Sequence, residues 1–370
     1  MAAAAHREAR GNLPPVQLGI LGLAKSGKTT LFNTLTASHQ ATDKFGSSGQ
    51  TNLGTAAVRD SRLEQLRDLF EPRRYVPATV QYVDIPGVKR GEGAESLDLA
   101  KLKTVDALVH VVRAFEDPEL LHPEGSVDPA RDVDMLDLEL ILADHDLVER
   151  RLERLGKAVK RGLTPEEQRE QALLSEVVIK TLEAERPLRE VELGADDERR
   201  LRGFQLLSAK PQLVVVNAGE ERAAAPPESF GVTPRPGRVA VTVSAPIEQE
   251  ISQLPAAEQQ EFLADLGLAE PSLDRVSRAS YELLGLISFF TVGEDEVRAW
   301  TVRRGTPARE AAGTIHSDIE RGFIRAEVAR WDDLLRLKTL AACREAALLR
   351  LEGKEYVVQD GDVVHFRFNV

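Results

Sequence analysis

Gly22-Leu-Ala-Lys-Ser-Gly-Lys-Thr29 constrains this chain more than any other stretch, because it fits the pattern G-x-x-x-x-G-K-[ST] in the context that gives the pattern meaning. The run Val16–Leu23 predicts a buried β-strand, and Thr30–Thr36, with Leu31, Phe32 and Leu35 apolar, predicts a helix. Between a strand and a helix, the glycines let backbone N–H groups wrap a phosphate, and the helix N-terminus adds favourable potential for an anion. Gly22, Lys25, Ser26, Gly27, Lys28, Thr29 and Thr30 are therefore expected around a nucleotide's phosphates. In this pattern Lys28 reaches the β- and γ-phosphates and the Thr29 hydroxyl holds Mg²⁺.

The chain's 370 residues leave room for two or three domains with a substantial core. Hydrophobic residues make up 42% and charged residues 29%, as in ordinary globular chains. No apolar run approaches the roughly 18 residues that span a bilayer. The N-terminal stretch lacks the apolar core of a secretory signal, so residues 1–15 are expected to be a flexible tail. The single cysteine, Cys343, excludes an internal disulfide and suits a reducing compartment, which points to the cytoplasm; a monomer is the simplest expectation, although the sequence does not give the oligomeric state. A net charge of −12 argues against non-specific nucleic-acid binding by the whole chain.

An α/β pattern occupies 16–131. Thr79–Asp84 and Ala107–Arg113 read as further strands, apolar enough for a parallel sheet covered on both faces. Between helix and strands lies a polar loop, Thr42–Asn52. Over 132–206 the spacing changes to that of helices. Leu136, Leu140, Ala143 and Leu147, then Leu152, Leu155 and Val159, predict one long amphipathic helix broken by Gly162. A second helix begins at Thr164-Pro165, with Glu167 closing a capping box, and ends at Pro187. The pair reads as an α-helical hairpin inserted into the α/β domain. That domain resumes over 207–285 with strands at Gln212–Asn217 and Arg238–Val243 and a helical stretch from Pro255 to about Leu284. Residues 286–370 read as a small α+β domain, with β-like runs at Val297–Val302, Glu355–Val358 and Val363–Phe368.

Three motifs extend the phosphate site. Asp84-Ile-Pro-Gly87 ends a strand as D-x-x-G, where Asp84 reaches Mg²⁺ through water and the Gly87 N–H senses a γ-phosphate. Asn217-Ala-Gly-Glu220 stands where a base is recognised. Guanine is usually met by N-K-x-D, and here Ala218 replaces the lysine and the longer Glu220 replaces the aspartate, which weakens the case for GTP. Ser244-Ala245 fits a short base-contacting loop.

In this order, and with a helical hairpin ahead of the third motif, the chain resembles the YchF-type Obg-like ATPases from residue 16 onward. The most specific stretches are Arg113–Asp117, Glu296–Thr301, Ile315–Val328 and Val358–Val370. The resemblance implies a P-loop NTPase sheet covered by helices, a coiled-coil-like arm and a C-terminal TGS-like, β-grasp domain. It further implies hydrolysis of ATP in preference to GTP, work with the ribosome, and Asn217, Ala218 and Glu220 as adenine-recognition residues. Two departures stand out. Gly46-Ser-Ser48 replaces the family's threonine-bearing loop and leaves Ser48 as the nearest metal-binding hydroxyl. Lys25 replaces an asparagine that helps related NTPases hold potassium, so its ammonium can stand in for that ion.

Ras-like enzymes orient the attacking water with a glutamine after D-x-x-G, but here that position is Val88. His110 is the candidate replacement, through an imidazole with pKa near 6.5; the alternative is a packed strand histidine. Slow turnover without a partner, a divergent GTPase, and a nucleotide-binding regulator without turnover all remain compatible with these residues. The hairpin turn carries Arg150, Arg151, Arg154, Lys157, Lys160 and Arg161 against Glu149 and Glu153, which suits phosphates of rRNA or tRNA as well as a solvated tip.

Overall fold

The computed structural model describes residues 16–36, 52–85 and 98–369; the expected tail 1–15 and the candidate residues Ser48, Gly87 and Val88 lie outside them. The strands, in chain order, are β1 (Gln17–Leu21), β2 (Asn52–Val58), β3 (Arg74–Val76), β4 (Ala78–Asp84), β5 (Ala107–Ala114), β6 (Gln212–Ala218), β7 (Arg238–Val243), β8 (Leu286–Thr291), β9 (Glu296–Arg303), β10 (Phe323–Arg330), β11 (Arg350–Glu352) and β12 (Asp362–Phe368). Helices α1 (Lys28–Thr36), α2 (Ser61–Phe70) and α3 (Leu99–Thr104) precede the long α4 (Pro129–Ala158). Then come α5 (Pro165–Leu173), α6 (Ile179–Glu183), α7 (Ala195–Leu201), α8 (Ala245–Gln253), α9 (Ala256–Asp265) and α10 (Ser272–Leu283). The last four are α11 (Ala308–Ile315), α12 (Ser317–Arg321), α13 (Trp331–Leu337) and α14 (Leu340–Glu345).

The first sheet has the order β2-β4-β1-β5-β6-β7, and β1, β5, β6 and β7 run parallel. Its central strands are buried on both faces, which is why β5 and β6 are almost entirely apolar. On one face Leu108 packs with Leu136 and Leu140 of α4, and Val112 packs with Val133.

The long helix starts earlier than its apolar spacing suggested. Asp128 caps it by accepting from the Arg131 N–H, and Pro129 takes the first position. Leu155 is buried as expected, but Val159 is 53% exposed. There the helix tightens into a 3₁₀ turn, Val159–Arg161, before Gly162 at φ +83°, and the apolar face rotates outward. The capping box at Thr164 and Glu167 forms as its sequence requires. The second helix, however, is not continuous: a π-helical turn, Leu174–Val178, separates α5 from α6. Leu173, Leu174, Val178 and Leu182 close a core against Ile141, Val148 and Leu155 of α4. The stretch from Pro255 likewise divides, into α9 and α10, around Gly267 at φ +69°.

The described residues form two compact units, one within 17–55 and 82–279, the other within 56–81 and 280–370. Residues 56–81, adjacent in sequence to the phosphate-site strands, thus belong structurally with the C-terminal residues. The second sheet has the order β11-β10-β12-β8-β9-β3, with β3 on its edge parallel to β9. Ala308, Ala311 and Ala312 of α11 pack on it against Phe289, Val302, Val328 and Phe366, the small side chains letting the helix approach closely. Helix α2 buries Leu63 and Leu66, and its Arg62 guanidinium lies 5.4 Å from the Phe290 ring centre and 2.8 Å from Asp360. Glu355–Val358 is not a strand. Only Val357 makes an isolated bridge, to Pro307, and turns on either side leave no length for a ladder.

Candidate nucleotide site

The phosphate loop leaves β1 at its C-terminal end and runs into α1. Gly22 has φ +148°, and a Cβ there would come within 2.2 Å of the Val111 carbonyl oxygen. Gly27 has φ +95°, and a Cβ there would come within 2.2 Å of Asn217 Nδ2. Both positions therefore exclude side chains for reasons of space as well as backbone conformation. Lys25, although not glycine, also stands in the left-handed region at φ +64°. Thr30 lies in the first turn of α1, its carbonyl accepting from the Thr34 hydroxyl.

Lys28 is buried and donates from Nζ to the Leu23 carbonyl at 2.6 Å. Burial lowers its pKa to about 8, partly opposed by the charge of Asp84. Asp84, at the end of β4, is pushed above the usual carboxylate range by burial, against the pull of Lys28 and a hydrogen bond with Thr29. Thr29 and Asp84 are thus joined and present hard oxygen donors beside a lysine, a set that fits Mg²⁺. Two hydroxyls here, of Ser26 and Ser244, are buried without a protein partner. A bound polar ligand would relieve that cost.

Asn217 is tied to two neighbouring segments through its side-chain amide. Its Nδ2 donates to the Ser26 carbonyl at 3.0 Å, and its Oδ1 accepts from the Ala245 N–H at 3.1 Å. One bond from each end of the amide ties the end of β6 to the phosphate loop and to the start of α8. Ala218 is buried with Val216 and Phe230, whereas Glu220 is exposed at the start of the 3₁₀ turn Glu220–Arg222.

His110 pairs with Leu21 and Val214 in the middle of the sheet. Its neighbours two residues away, Leu108 and Val112, face α4, so strand alternation places His110 on that same covered face. Burial lowers its pKa to about 3, not the value near 6.5 expected of an accessible imidazole, and its Nδ1 has no partner. Sequence reasoning passed over a second histidine. His122 lies in the connection leaving the C-terminal end of β5, the sheet edge from which the phosphate loop also departs. Its Nε2 is 3.1 Å from Asp132 and its Nδ1 accepts from the Glu124 N–H. A fixed imidazole–carboxylate pair at that edge had one sequence signal, a histidine ten residues before an aspartate in a helix's first turn.

Known proteins match over both parts of the chain. A family model described as "50S ribosome-binding GTPase" covers residues 17–145, and one for a YchF-GTPase C-terminal domain, described as "Protein of unknown function (DUF933)", covers 286–369. The chain is 43% identical to "Ribosome-binding ATPase YchF" of Bacillus subtilis, covering 95% of this chain and 99% of that protein. It is 38% identical to the protein of the same name from Escherichia coli O157:H7, with the same coverage. The solved structure of the Schizosaccharomyces pombe YchF GTPase superposes with a TM-score of 0.82 at 31% identity, covering 97% of this chain and all of that one. Among the described residues no helix is long and apolar enough to cross a membrane.

Proposed function

Because the chain belongs to the YchF family, we propose that it is a ribosome-binding phosphohydrolase that takes ATP in preference to GTP. The observation that carries the base preference is Glu220, exposed after β6 where a GTPase places aspartate. Ala218 supports it, since a buried methyl cannot lie along a purine as the usual lysine does. In this reading Gly22, Lys25, Ser26, Gly27, Lys28, Thr29 and Thr30 surround the phosphates, while Ser244 and Glu220 border the base. Asn217 acts by holding the phosphate loop. Thr29 and Asp84 are the residues that would hold Mg²⁺, which when bound neutralises charge on the phosphate oxygens.

For the attacking water, its fixed pairing with Asp132 favours His122 over His110. The buried Asp132 carboxylate orients the His122 ring, whereas His110 lies neutral beneath α4 with its Nδ1 unpartnered, within the fields of Asp137 and Lys28. Titration with ATP and with GTP by calorimetry tests the base reading. ATP is expected to bind at least tenfold tighter, with no change when potassium is exchanged for sodium if Lys25 supplies the cation. Equal or tighter GTP binding overturns the base argument.

The hairpin tip is the proposed ribosomal contact. Arg151 is already held by Glu170 through two hydrogen bonds of 2.6 and 2.9 Å, so it is not available to an RNA phosphate. Arg150, Arg154, Lys157 and Lys160 are exposed. Reversing these four charges to glutamate is expected to lower ribosome co-sedimentation by more than tenfold while leaving the ATP affinity as it was. Unchanged co-sedimentation would remove the tip from the interface.

A further inference from the structure

In the second unit, strand β12 has one satisfied edge and one that runs out of partner. Toward β10 it pairs at seven positions, from Asp362 to Phe368. Toward β8 it pairs at one, Val363 opposite Phe290, because β8 ends at Thr291 and the chain turns into β9. Asn369 donates its N–H to Gly322 on the β10 side. Backbone groups alternate between edges along a strand, so Phe366 and Phe368 direct their N–H and C=O the other way. Among the described residues no strand lies on that edge beyond the end of β8. Residues 365–368 thus offer about 13 Å of open ladder at about 3.3 Å per residue.

This edge borders a cavity of about 310 Å³, whose walls include Thr291, Trp300, Ile315, Ile319, Phe366 and Phe368. Phe368 is 46% exposed. Strand edges are normally guarded by proline, lysine or a bulge. The stretch Val364-His-Phe-Arg-Phe368 has neither proline nor lysine, the register shift in its ladder with β10 lies on the β10 strand between Phe323 and Arg325, and its Arg367 is engaged by Glu327. The cavity's acids are compensated: Glu327 also meets Arg344 at 2.8 Å, and Glu296 lies 3.4 Å from Arg74 and 3.9 Å from Arg298. No surplus positive charge lines the cavity to hold a phosphate chain, whereas an extended peptide supplies the missing hydrogen-bond partners along its backbone.

We propose that the open edge of β12 is a strand-addition site for an extended peptide segment of a partner protein, with apolar side chains at alternating positions entering the cavity beside Trp300 and Phe368. The test begins with selection from a random displayed peptide library on the full chain, followed by titration of the most enriched synthetic peptide. Alternating apolar sequences are expected. Amide exchange at Phe366 and Phe368 should slow at least tenfold on binding. N-methylation of the peptide's alternate amides, and the exposed-site substitution Phe368→Glu, should each weaken binding at least tenfold, with unchanged amide-exchange protection in β8, β9 and β10 of the variant confirming that its C-terminal unit folds. No enrichment above uncoated controls, protection elsewhere in the chain, or binding indifferent to N-methylation overturns the proposal. So does protection of the same amides by a single-stranded RNA dodecamer in place of peptide.

Discussion

Replacing Lys28 with alanine is expected to lower ATP turnover by on the order of 10²–10³-fold, the usual consequence of removing one group that meets charge developing in a transition state. A phosphate-release assay measures it; turnover within threefold of the parent would show that catalysis does not pass through the phosphate loop. The same residue carries a pH signature. Without nucleotide, burial holds its pKa at about 8, and Nζ rests on the Leu23 carbonyl. Phosphate oxygens favour the charged ammonium, so the pKa rises on binding. Nucleotide binding therefore takes up a proton once the pH exceeds about 8, and affinity falls as the pH rises further. Calorimetry in buffers of different ionisation enthalpy reads that uptake directly, and Lys28→Ala should abolish it. In the same assay His122→Asn should slow turnover without moving ATP affinity, while His110→Asn should leave turnover near the parent's. The reverse outcome would restore His110 to the water-orienting role.

What could be read from the sequence was local. The phosphate loop, the capping box at Thr164 and Glu167, and strand β7 depend on residues within a few positions of one another, and each forms where its pattern places it. What could not be read depends on distant partners. The Asn217 motif gives no sign of the loop carbonyl, 191 positions away, to which its amide donates. His110 looks accessible until α4 covers the strand face on which it lies. Strand β2, with a largely half-exposed pattern, has no continuous apolar run to announce it. Nothing in the residues of helix α2 says that Arg62 will meet Asp360, 298 positions on, and so join the C-terminal unit. The π-helical turn at Leu174–Val178 has no proline or glycine to mark it, and its Leu174 and Val178 pack in one core with α4.

The largest loss of stability is expected at Asp137, a residue that touches no part of the phosphate loop. This α4 carboxylate is buried and accepts from Arg189 at 2.9 Å, from Gln212 at 3.2 Å and from Arg238, which in turn donates to Gln212 at 2.9 Å. Arg189 follows the second helix of the hairpin, and Gln212 and Arg238 begin β6 and β7, so one side chain fastens both ends of the arm to the sheet. Asp137→Ala leaves two buried guanidinium groups without their counter-charge, at a cost of about 3–5 kcal/mol. The replacement of one buried charge differs from the replacement of the whole cluster. Asp137→Leu combined with Arg189→Met and Arg238→Leu removes the uncompensated charges, and is expected to recover most of the stability lost by the single variant. Denaturant unfolding monitored by circular dichroism measures both. If Asp137→Ala costs less than about 1 kcal/mol, water already screens the cluster and the arm is held by the apolar contacts of α4 alone.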